Sequence, residues 1–215
     1  MNRAISTVIC IGLFLFLVAG TSHAQLIPIR NCTTISTPGS YILTNNITAT
    51  PSNILPVPQA IAKACIVITA DFVTLNLAGF AITASNLGST LATGIDTPNG
   101  TDLHGIYVHD GTVANFSVDG VLLVGVGHTV EHIRALNNGR AGIQVYGVFA
   151  IGGGRLVGNT LISNQVEGIY VACPAVVLEN AAAGNGNGSS FQQIEESPPG
   201  SCTSQENSPA SANIP

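Results

Sequence analysis

Four histidines fall between residues 104 and 132: His104, His109, His128 and His132. Imidazole is a common metal ligand and the side chain that titrates nearest neutral pH, so the cluster invites a metal reading. Spacing argues against it. His104 and His109 are five residues apart, which in an unbroken strand sends them to opposite faces. His128 and His132 share parity, but no Cys or carboxylate recurs near them at a ligand spacing, and no metal ligand is assigned. No aspartate lies within three residues of another, so paired carboxylates acting as general acid and base have no local signature. The tyrosines are more informative. Tyr107, Tyr146 and Tyr170 are three of the four in the chain. With His109 and Gln144 they form a set suited to sugars, whose apolar ring faces stack on aromatics while amide and imidazole groups catch hydroxyls.

Such side chains need a scaffold that brings them to one face, and the middle of the chain repeats itself. Gly105-Ile106-Tyr107-Val108 recurs as Gly142-Ile143-Gln144-Val145 and Gly168-Ile169-Tyr170-Val171, with a weaker copy at Gly120-Val121-Leu122-Leu123. Asn138 and Asn164 each precede a copy by four residues. A period of roughly 20–26 residues with short alternating strands marks a solenoid. Ile106, Val121, Ile143 and Ile169 are expected to form an inner ladder, with Val108, Leu123, Val145 and Val171 beside it. Tyr107, Gln144 and Tyr170 then face outward, followed by His109 and Tyr146. Asn138 and Asn164 fall at the bend before the strand, where amides of successive repeats can pair. Residues 66–82 show an earlier repeat. Residues 59–64 suggest a turn or two of helix, residues 84–103 a polar loop, and residues 183–215 an irregular tail.

The chain has 215 residues, of which 46% are hydrophobic and 8% charged. Average domains carry roughly 25% charged residues, so Asn, Ser, Thr and 24 glycines must wet this surface. The net charge of −5 excludes a general nucleic-acid binder, which needs a basic stripe. Residues 1–24 read as a secretory signal. Arg3 precedes the apolar run Val8–Gly20, and Ser22 and Ala24 supply the small residues of a cleavage site. Cleavage after Ala24 is expected to leave an exported protein with no membrane insertion. Cys32, Cys65, Cys173 and Cys202 remain, an even number that suggests two disulfides. Of the three pairings open to four cysteines, Cys32–Cys65 with Cys173–Cys202 closes the two shortest loops, one at each end of the domain.

Residues 65–191 resemble the exported right-handed parallel β-helix proteins with pectate-lyase-like repeats. The resemblance is carried by Ile66-x-Ile68-Thr69-Ala70-Asp71-x-Val73-Thr74-Leu75-x-Leu77-x-Gly79-Phe80 and by Ala135-Leu136-Asn137-Asn138-Gly139-x-x-Gly142-Ile143-x-Val145. It implies an all-β, single-stranded right-handed parallel β-helix of about six or seven coils over residues 25–188, with residues 189–215 a tail held by a disulfide. That fold hosts many chemistries. The favoured expectation is a non-catalytic secreted protein that contacts polysaccharide or cell-envelope glycan through Tyr107, His109, Gln144, Tyr146 and Tyr170, with no cofactor. One alternative is a polysaccharide lyase, in which Arg134 would take a proton while Asp110 and Glu131 hold Ca2+. The other is a structural or adhesive solenoid.

Overall fold

The computed structural model describes residues 25–147, 153–186, 193–198, 202–205 and 208–210, and the expected signal at residues 1–24 lies outside them. Nearly every element is a short parallel strand, and no helix occurs among the described residues. The strands form two sheets. The spine of the short sheet is β2 (Thr33–Ile35), β6 (Lys63–Ile68), β9 (Ala92–Asp96), β12 (Val121–Val126), β14 (Ile143–Tyr146), β17 (Ile169–Ala172) and β20 (Ile194–Ser197). The spine of the long sheet is β1 (Ile27–Ile29), β3 (Gly39–Leu43), β7 (Val73–Asn76), β11 (Tyr107–Ala114), β13 (His128–Leu136), β15 (Gly154–Val157), β18 (Val176–Leu178) and β21 (Thr203–Gln205). The long sheet bends along its length and continues in β4 (Ile47–Ala49), β8 (Ala81–Ala84), β16 (Thr160–Ile162), β19 (Ala181–Ala183) and β22 (Ser208–Ala210). The chain passes back and forth between the two sheets, an arrangement consistent with a β-solenoid.

Register explains the core. In the short sheet Ile66, Ile95, Val121, Ile143 and Ile169 stand one above another and are fully buried. In the long sheet the stack is Leu75, Val108, Val130, Leu156 and Val177. Both inner faces meet in one apolar core. The bends between the two sheets are cross-linked by side-chain amides. The Nδ2 of Asn138 donates to Asn164 Oδ1 at 3.0 Å, Asn164 to Asn185 Oδ1 at 2.9 Å, and Asn185 to Gln193 Oε1 at 2.8 Å. These amides are buried, and the ladder satisfies groups that would otherwise lose water without replacement. The expected pairing of Asn138 with Asn164 is therefore present.

Glycine sets the short sheet's spacing. A Cβ on Gly120 would lie 2.5 Å from the carbonyl oxygen of Gly142, and one on Gly142 would lie 2.7 Å from that of Gly168. Gly94 stands in the same relation to Gly120, at 2.5 Å. The repeat aligned in the short sheet is thus Gly94-Ile95-Asp96-Thr97, not Gly105-Ile106-Tyr107-Val108. Gly105 instead occupies a bend at φ +61°, with the Phe72 ring lying over it. Ile106 is buried outside the expected ladder, and Val108 stacks in the long sheet.

Other expectations also change. The stretch 84–103 is not all loop, because it supplies β9 and β10 (Leu103–His104). Residues 59–64 form no helix. They lead from β5 (Leu55–Pro56) into β6, its antiparallel partner. The stretch expected to be irregular after residue 183 adds β20, β21 and β22 to the sheets. Both disulfides join as expected, Cys32 to Cys65 and Cys173 to Cys202, with Cα–Cα distances of 4.4 and 5.1 Å. They are compatible with an oxidising compartment.

Candidate functional site

The five residues expected to face a glycan divide between the two sheets. Tyr107 and His109 lie on β11 in the long sheet, while Gln144, Tyr146 and Tyr170 lie on β14 and β17 in the short one. The expectation that all five share one sheet is corrected accordingly. The cause is the misassigned glycine at 105.

On the long sheet, Tyr107 and His109 stack with ring centroids 4.3 Å apart. The Tyr107 hydroxyl donates to Glu131 Oε2 at 2.6 Å, and Arg155 pairs with Glu131 Oε1. Asp110 sits at φ +59° in the bend and holds two imidazoles, His109 Nδ1 at 2.8 Å and His132 Nδ1 at 3.2 Å. Those two histidines keep the Asp110 carboxyl below its ordinary range, the His109 hydrogen bond most of all. The candidate lyase residues do not meet. Asp110 and Glu131 are engaged by these partners, and Arg134 lies beyond the second bend at His132 (φ +52°), exposed and in register with Thr112 and Thr160.

On the short sheet, Gln144 and Tyr170 are in register, and Tyr146 follows two residues after Gln144. These three side chains, with Gly147, Ala172, Ser197 and Pro198, line a groove of about 360 Å³. The Tyr146 hydroxyl donates to Asn99 Oδ1 at 3.2 Å, so the loop after β9 is tied to the groove's edge. A larger hollow of about 760 Å³ opens at the N-terminal end. It is lined by Ile27, Ile29 and Ile35 together with Arg30, Asn31, Thr33, Thr34 and Tyr41.

Further along the same outer face lies a charged group that the sequence reading did not single out. Asp119 is fully buried and accepts from Arg140 twice, Nε to Oδ1 at 2.8 Å and Nη2 to Oδ2, and from the Ala141 amide at 3.0 Å. Asp96 is 1% exposed. Neither of its oxygens makes a hydrogen bond of good geometry, and the buried Thr93 hydroxyl three residues before it lies close without completing one. Asp96 stands between Val67 and Leu122 in the outward column. Val57 and Ala60 pack over Val67, and Gln59 approaches Gly100 from the next loop. This burial, and then the Asp119 charge, pushes the Asp96 carboxyl up to about 7, against the pull of Thr93, the Thr97 backbone and Arg140. A carboxyl so placed keeps its proton over most of the acidic range.

Glu167 completes the group. Its carboxyl is pushed up by burial and by Glu195, which is the register partner of Tyr170. Burial also raises the Tyr146 hydroxyl, with Arg140 opposing. The signal for Asp96 was present in Gly94-Ile95-Asp96, a copy of the repeat inside a stretch that reads as polar loop. Among the described residues, Cys173, Glu196 and Cys202 are the set of three potential metal ligands that converges, and its two sulfurs are joined to each other.

Comparison with protein-family models, with curated proteins and with solved structures finds no match.

Proposed function

We propose that the chain is an exported right-handed parallel β-helix protein that binds a glycan, without transforming it, in the groove between Tyr146 and Tyr170. The observation that carries this reading is the groove itself. Two half-buried tyrosines on neighbouring strands flank Gln144, so stacking surfaces and an amide serve the same 360 Å³ space. Parallel strands about 4.8 Å apart set such side chains at intervals commensurate with sugar rings. Handedness is inferred from the resemblance of the repeats, and export from residues 1–24 and the two disulfides. Binding is preferred over lyase chemistry because the Asp110 and Glu131 carboxylates are held by His109, His132, Tyr107 and Arg155.

The test is a glycan array probed with the mature protein, followed by affinity measurements on the best ligand. Tyr146→Ala with Tyr170→Ala is expected to weaken binding by roughly 100-fold, the size of losing two aromatic contacts. Tyr107→Ala, on the other sheet, is expected to leave it within about twofold. Equal loss from Tyr107→Ala would reject this groove as the site.

A further inference from the structure

The charges beside the groove distinguish among the glycans it could take, and this inference rests on the binding reading above. Glu195 is in register with Tyr170, next to it along the outward column that contains Gln144. Glu167 precedes Tyr170 by three residues on the same pass of chain and interacts with Glu195, Arg140 and Asp119. Beside the groove the outer face therefore carries Glu167 and Glu195, while the buried Asp119 faces one cation, Arg140. That cation is already engaged, because Nε and Nη2 both donate to Asp119. Among the described residues the other Lys and Arg side chains lie elsewhere. Arg30 is beside the N-terminal hollow, Lys63 is at the start of β6, and Arg134 and Arg155 are on the long sheet.

A polyuronate laid in this groove would bring a carboxylate on each ring to a surface with no free cation to receive it. Like charges brought together on binding are costly and select against a partner. A glycan bearing ammonium groups meets the opposite situation. Its cations would relieve the repulsion between Glu167 and Glu195, the same repulsion that helps hold the Glu167 carboxyl above its ordinary range. The ring faces would still stack on Tyr146 and Tyr170. We infer that the groove selects glycans carrying free amino groups, such as β-linked glucosamine oligomers, over neutral ones, and rejects polyuronates.

Three oligosaccharides of equal length separate the outcomes by calorimetry at mildly acidic pH: glucosamine oligomers with protonated amines, their N-acetylated counterparts, and oligogalacturonate. The glucosamine oligomer should bind at least about tenfold more tightly than the N-acetylated one. That advantage should shrink as salt is raised. Oligogalacturonate should show no binding. Glu167→Gln with Glu195→Gln should bring the two amino sugars to within about twofold of each other, chiefly by weakening the charged one. Preference for the N-acetylated or galacturonate oligomer would overturn the charge selection while leaving glycan binding in place. So would an ammonium preference that survives the double variant. Binding of none of the three would overturn this inference, while the array decides separately whether the protein binds any glycan.

Discussion

Two buried ionisable side chains, one on each sheet, respond to pH in opposite senses. Asp96 titrates near 3.8 when unconstrained and near 7 in the fold. Between those values the native state holds a proton that the unfolded chain has released, so stability falls as pH rises from about 4 to about 7. His128 is 1% exposed, its Nδ1 accepts from the Ile106 amide at 3.2 Å, and its Nε2 has no partner. Burial lowers it from 6.5 to about 4. The unfolded chain then holds the extra proton, and stability falls as pH drops from about 6.5 to about 4. The two slopes oppose each other over one window, so wild-type stability should be nearly level across it. Asp96→Asn removes one slope. Its stability should climb with pH from about 4 to about 6.5 and exceed wild type at alkaline pH by about 1–3 kcal/mol, because the amide stays neutral where the buried carboxyl must ionise. Urea midpoints measured across this range check it. A variant whose curve runs parallel to wild type would show that Asp96 does not carry the linkage. Asp96 was hard to find because Gly-Ile-Asp-Thr-Pro reads as a loop, and its cover begins about 40 residues earlier, at Val57 and Ala60.

At the scale of the element, the same sequence word serves two structures. Gly142-Ile143-Gln144-Val145 and Gly168-Ile169-Tyr170-Val171 were read in the correct register because each glycine must lack a Cβ where the next strand's backbone closes in. Gly105-Ile106-Tyr107-Val108 carries the same letters for a different reason. Its glycine makes a left-handed bend, and the strand after it belongs to the other sheet. Composition does not separate a glycine needed for contact from one needed for conformation, and so the tyrosines were placed together when they are apart. The disulfides, the Asn138–Asn164 ladder and the inner stack of Val121, Ile143 and Ile169 were legible, since each follows from spacing alone. Substitution separates the two kinds of glycine. Gly142→Ala pushes a methyl group against the Gly168 carbonyl and the Asn164 amide, both at 2.7 Å, and neither backbone nor ladder can move freely. A loss of about 1–3 kcal/mol is expected, the scale of overpacking a filled core. Gly79→Ala meets nothing within 4 Å but sits at φ +81°. Its loss should be about 1 kcal/mol, from backbone strain alone. Denaturation of the two variants under one set of conditions checks the order. A reversed order would mean that the short sheet spreads to accept the methyl.

Over the whole molecule, stability in a stack of parallel strands is close to one-dimensional, since each strand is held mainly by its two neighbours. The ends are then the weak places, having a neighbour on one side only. At the N-terminal end Leu26 and Ile27 are exposed, beside a hollow that Ile29 and Ile35 line. The disulfides sit at these two places. Cys32 precedes β2 and is tied to Cys65 within β6, and Cys173 follows β17 and is tied to Cys202 just before β21. Their loops span 33 and 29 residues, for which the restriction of the unfolded chain is worth about 3–4 kcal/mol each. In a one-dimensional stack that loss need not be shared evenly. Reduction should release the outer strands first, and the centre should remain because β12, β14 and their ladders keep both neighbours. Amide hydrogen exchange after mild reduction should therefore accelerate in β2, β3, β20 and β21 while β12 and β14 stay protected. Faster exchange spread evenly over all strands would mean that the two sheets unfold as one unit. The disulfides would then be raising global stability, with no special role in pinning the ends.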